Sequence, residues 1–90
     1  METKQAVSAL SALAHEGRLD AFRRLVRAGR DGIAAGELAR QLAVPPNTLS
    51  GSLSILGHAG LVESRRAGKS VIYSVRYADM TALLQYLMED

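Results

Sequence analysis

Two consecutive prolines, Pro45 and Pro46, divide this 90-residue chain at its middle and fix what can follow them. Proline has no N–H to donate and a preset φ, so a helix reaching it stops and a new one starts in its first turn. Beyond the pair, Leu49, Leu53 and Leu56 recur at spacings of four and three, which predicts a helix over residues 46–58 with one apolar face. Gly60 ends it. Leu61 and Val62 then open a strand, Ala67, Gly68 and Lys69 make a compact turn, and Val71, Tyr73 and Val75 alternate with Ile72, Ser74 and Arg76.

The remaining segments supply more helices. Val7, Leu10, Leu13 and Ala14 recur at helical spacing over residues 4–15, and Gly17 interrupts them. A second helix over 18–28 turns Leu19, Phe22, Leu25 and Val26 inward and Arg23, Arg24 and Arg27 outward, before Gly29 and Gly32 mark a turn. A third, over 35–42, buries Leu38 and Leu42, and Val44 closes the turn into the prolines. A last helix over 78–89 carries Met80, Leu83, Leu84, Leu87 and Met88. The expected fold is mainly α with a β-hairpin wing, in the order α-α-α-α-β-β-α. Two helices across a tight turn, followed by a hairpin, describe a winged helix-turn-helix. No linker, repeat or low-complexity tract divides residues 1–90, so one domain is expected.

A chain this short buries a modest fraction of its surface, and it has no cysteine to staple it. An identical partner is the simplest remedy. The stripe of Met80, Leu83, Leu84 and Leu87 is too wide for one terminal helix on a monomer. With Val7 and Leu10 of the first helix it makes the expected homodimer interface.

Catalysis finds no footing. His15 and His58 are far apart, and neither has a partner at metal-ligand spacing. His15, beside Glu16 at the end of the first helix, reads as a cap or a packed polar pair. Gly29, Gly32 and Gly36 do not follow a strand, so they form no nucleotide-binding loop. The expectation is no enzyme, no cofactor and no metal. The apolar runs are too short to span a bilayer and the amino end carries no secretion signal, so a cytoplasmic protein without a membrane partner is expected.

The polar surface is more informative. With the three leucines inward, the helix that begins at Pro46 exposes Asn47, Thr48, Ser50, Gly51, Ser54 and His58. Small hydroxyl and amide side chains reach base edges or phosphates without bulk, whereas a merely solvated helix would favour Glu, Lys and Gln. Asn47 suits a bidentate base contact, and Thr48 and Ser50 sit where free N–H groups also favour a phosphate. Between residues 45 and 78 the basic residues are Arg65, Arg66, Lys69 and Arg76, against Glu63 alone. Arg65, Arg66 and Lys69 near the hairpin tip suit phosphate or minor-groove contact, and Arg40 suits a backbone clamp. Arg23, Arg24 and Arg27 read as a solvated face. The partner implied is double-stranded DNA.

With these residues in view, the chain resembles the ArsR/SmtB family of bacterial winged-helix repressors. The resemblance rests on LSALAHEGRLDAFRRLV at 10–26, GELARQLAVPPNTLSGSLSILGHAGLVESRRAGKSVIYSV at 36–75 and MTALLQYL at 80–87. It implies a homodimer joined by its first and last helices, binding an inverted-repeat operator at its own promoter and releasing it on sensing an inducer. The reading helix would be 46–58 and the wing 62–75. Three departures bear on sensing and specificity. Ile33, Ala34, Ala35 and Gly36 stand where metal sensors of the family carry a cysteine pair, and the last helix offers Asp79 but no histidine. Ser50, Gly51, Ser52 and Leu53 replace a frequent Ser-x-His-Leu. No family-type arsenic or zinc site is expected within these residues. Left open are sensing cysteines beyond residue 90, making an arsenic-, metal- or redox-responsive repressor; a small-molecule inducer, a redox signal through a partner, or none; and a protein-interaction module that no longer binds DNA.

Overall fold

The first two helices part at His15, not at Gly17. The computed structural model describes residues 1–89 and places α1 at Thr3–Leu13 and α2 at Glu16–Ala28. His15 Nδ1 accepts the Arg18 N–H at 3.2 Å, so the imidazole caps α2 and Gly17 lies inside its first turn. Arg18 Nε donates to Ala12 O at 2.6 Å, satisfying a carbonyl at the end of α1. The interruption expected of a glycine is the work of two side-chain caps.

Alanine carries the packing of α1. Ala6, Ala9 and Ala12 are buried, whereas Val7 and Leu10 are 59% and 41% exposed. In α2 the buried stripe is Ala21, Phe22 and Leu25. Leu19 and Val26, expected inward, are exposed because the stripe is centred on the alanine and Leu25 rather than on the bulkiest residues.

After a 3-10 turn at Gly29–Asp31, a short strand β1 (Ile33–Ala34) adds an element absent from the expected order. It pairs antiparallel with a later strand, Ile33 opposite Tyr73 and Ala34 opposite Ile72. Gly32, at φ 72°, makes this possible: a Cβ there would stand 2.3 Å from Tyr73 O.

The helix α3 (Ala35–Leu42) follows β1 directly and buries Leu38 and Ala39. It ends at Ala43, which adopts φ 55° and ψ 45° and donates its N–H to the Ala39 and Arg40 carbonyls. That left-handed cap is ordinarily a glycine's place. Pro45 is then extended, and α4 (Pro46–His58) starts with proline in its first turn. Leu49, Leu53 and Leu56 are buried as expected, each contributing roughly 1.5–3 kcal/mol of transfer free energy.

The hairpin joins β2 (Val62–Ala67) to β3 (Ser70–Val75) through Gly68 and Lys69, with Gly68 at φ 64°. Glycine at the first position of a two-residue turn matches the twist of antiparallel strands. The sheet order is β1-β3-β2, so the wing is three-stranded. Finally α5 (Tyr77–Met88) returns across the domain. Leu83, expected in the dimer stripe, is buried in the chain's own core, and Met80 is half-buried against it. Leu84, Leu87 and Met88 are the exposed apolar residues of α5. Among the described residues no helix is long and apolar enough to cross a membrane.

Candidate nucleic-acid interface

A helix that buries Leu49, Leu53 and Leu56 must present what lies half a turn away. At 100° per residue, Asn47, Gly51, Ser54 and His58 form one ridge opposite the leucines, with Thr48 and Ser50 on its flanks. All six are exposed, as the sequence predicts. The ridge also carries Ile55, 45% exposed beside Thr48, which the leucine spacing gave no reason to single out. Asn47 Oδ1 accepts the Thr48 N–H at 3.0 Å, which leaves its amide N–H groups to donate outward. A Cβ at Gly51 would meet nothing within 4 Å, so nothing inside the protein demands a glycine.

His58 parts from the others. Its Nδ1 is 2.8 Å from Ser54 O, an acceptor only, so that nitrogen carries the proton. The ring lines a cleft with Lys4 and Ser8 of α1, at the far end of α4, about 16 Å along the axis from Asn47.

The wing divides its two arginines. Side chains alternate along a strand, so Ser64 and Arg66 share the face of their register partners Tyr73 and Val71, and Arg65 shares the other with Ile72. Tyr73 and Ser64 line a groove of about 320 Å³ beside α4 with Leu53 and Ser54. Arg66 is thus on the α4 side of the wing. Arg65 instead donates from Nη2 to Asp31 O at 3.0 Å, bracing the wing against the turn before β1. Lys69 stands exposed at the tip. Strand alternation alone separates the pair, but only once the register is known.

Arg40 is engaged within the chain. Its Nη2 and Nε donate to Glu37 Oε1 at 2.6 and 3.1 Å, and Gln41 Nε2 donates to the other carboxylate oxygen at 3.2 Å. The Arg40 hydrogen bonds, then that of Gln41, hold the Glu37 carboxyl below the usual carboxylate range. Arg24 reaches the same network through Gln41 Oε1 at 3.3 Å. To clamp a phosphate, Arg40 would exchange Glu37 for it. Among the described residues no three His, Cys, Asp or Glu side chains gather to hold a metal ion.

The architecture has relatives. A family model described as a helix-turn-helix domain matches residues 13–65. The HTH-type transcriptional regulator YgaV of Escherichia coli (strain K12) is 30% identical over 84 residues, covering 93% of this chain and 83% of its own length. An ArsR-like transcriptional regulator from Rhodococcus sp. RHA1 superposes with a TM-score of 0.82 at 28% identity, over 93% of this chain and 76% of that one. The chain belongs to the ArsR/SmtB-type winged-helix transcriptional regulators. ArsR/SmtB-type regulators bind DNA and are not enzymes. The homodimeric winged helix-turn-helix DNA-binding domain of Mb0332 from Mycobacterium bovis, described as a possible ArsR-family transcriptional regulator, matches with a TM-score of 0.76 at 29% identity, over 93% of this chain and 78% of that one.

Proposed function

We propose that the protein is a homodimeric autorepressor that binds an inverted-repeat operator in the cytoplasm, at the nucleoid. The observation that carries this reading is the pairing of a small, polar α4 ridge with an arginine on the same side of the wing. In it α4 lies in the major groove, with Asn47 and Ser54 at base edges, Thr48 and Ser50 near the phosphates, and Pro46 setting the entry of the helix. Gly51 lets the backbone approach the duplex. Arg66 and Lys69 contact the flanking backbone. Two copies join through the exposed Val7 and Leu10 of α1 and Leu84, Leu87 and Met88 of α5, and their reading helices then fall on half-sites about one helical turn apart. The homodimeric state of the similar Mycobacterium bovis domain supports the pairing.

A mobility-shift titration against the protein's own upstream intergenic DNA, beside a scrambled duplex at physiological salt, tests this. Tight binding to the native fragment alone is expected. Equal and weak binding to both would leave only phosphate attraction and remove the operator from the account.

A further inference from the structure

Besides the DNA-facing ridge, a concavity lies between the start of α1, the end of α4 and the start of α5. It is a cleft of about 480 Å³ with Lys4, Ser8, His58 and Asp79 at its walls and Ala59 and Leu61 among its apolar lining. The volume falls in the range of small-molecule sites, and a few polar groups over a mainly apolar surface is their usual make-up.

Charge narrows the occupant. Asp79 Oδ2 is already bonded to Arg76 Nε at 3.0 Å, so the carboxylate is offset by its own cation. Lys4 makes no ion pair among the described residues, whereas the His58 ring is already held through its Nδ1 on Ser54 O. A second copy of the chain is not the natural filler. On α5, the cleft-lining pair Asp79 and Ala82 is centred a third to half a turn from Leu84, Leu87 and Met88; on α1, Lys4 and Ser8 are centred about a third of a turn from the centre of Val7 and Leu10. The exposed apolar residues of α1 and α5 therefore point elsewhere.

We propose that this cleft binds a small organic carboxylate, its anionic end at Lys4 and its apolar body over Ala59 and Leu61. Because His58 and Ala59 also end α4, an occupant there biases where the reading helix sits relative to α1 and α5. Binding of the carboxylate and of DNA are then coupled, by the same factor in both directions. That coupling rests on the DNA-binding reading; occupancy of the cleft does not.

The test is an amide NMR titration of the full chain with benzoate as probe, and benzyl alcohol as the uncharged control. Saturable benzoate shifts at Lys4, Ser8, Ala59 and Gly60 are expected, with affinity about fivefold weaker for benzyl alcohol and for the Lys4→Gln variant. Lys4 is an exposed helix residue, so that variant keeps the fold, and its unperturbed spectrum verifies this. Scattered, non-saturating shifts would overturn the proposal, as would equal binding of alcohol and acid. The same amides shifting with protein concentration alone would assign the cleft to the dimer and also overturn it. A mobility shift with benzoate present then reads the coupling separately: unchanged DNA affinity beside saturable benzoate binding would remove the regulatory link alone.

Discussion

The Thr3 hydroxyl and the Tyr86 phenol lie 2.6 Å apart, joining the first turn of α1 to the last turns of α5 across 83 positions of sequence. Thr3 shares its helix face with Val7 and Leu10, so the bond ties α1 to the end of α5 that also carries Leu84 and Leu87. Removing the phenol by Tyr86→Phe is expected to lower stability by about 0.5–1 kcal/mol and to weaken self-association. Chemical denaturation and sedimentation equilibrium measure the two, and unchanged self-association would detach the bond from the dimer.

Neighbouring leucines of α5 should behave oppositely. Leu83→Ala opens the core and is expected to cost about 2–5 kcal/mol of folding stability. Leu84→Glu puts a charge on an exposed position, leaving the monomer folded while raising the dimer dissociation constant about tenfold or more. A Leu84→Glu protein that stays dimeric would move the interface off α5.

Gly51 offers a trade between stability and binding. With open space around its missing side chain, Gly51→Ala should raise stability by about 0.5–1 kcal/mol. If the backbone there meets DNA, operator affinity falls at the same time. Higher stability with undiminished affinity would make the glycine a tolerated irregularity.

The two wing arginines are separable by salt. Arg66→Ala should reduce the slope of log K against log salt by about 1 per protomer, as expected when one phosphate is no longer neutralised by the protein. Arg65→Ala should leave that slope nearly unchanged and loosen the wing, seen as faster amide exchange in β2, because its guanidinium holds Asp31 O. Equal slopes for both variants would contradict the division by strand face.

Ala43 sits in a left-handed conformation that disfavours any side chain. Ala43→Gly should therefore stabilise the protein by about 0.5–1 kcal/mol without altering DNA affinity. A thermal melt beside a mobility shift checks both halves.

The best-read parts of the sequence were those with punctuation. The bounds of α3 and α4 follow from Pro45 and Pro46, and the hairpin from Gly68, because these residues restrict the backbone whatever surrounds them. Faces were harder. Alanine contributes little to an apolar pattern, so the stripe of Ala6, Ala9 and Ala12 was hidden behind the more conspicuous Val7 and Leu10. The two residues of β1 are too few to show a period, and only Gly32 hinted at the close approach. The ridge of α4 was legible because three leucines define its opposite side. The occupation of Arg65 and Arg40 by partners inside the chain depended on distant or neighbouring groups that spacing alone did not weigh.

No residue separates Ala34, the end of β1, from Ala35, the start of α3, while β1 is itself hydrogen-bonded to the wing through β3. A force on the wing tip thus reaches the helix-turn-helix through a ladder, with no slack loop to absorb it. In the proposed reading, the wing and α4 meet a duplex as one stiff caliper. Its jaw width is set when the chain folds, so a groove of the wrong width is rejected by the elasticity of the DNA rather than by adjustment of the protein.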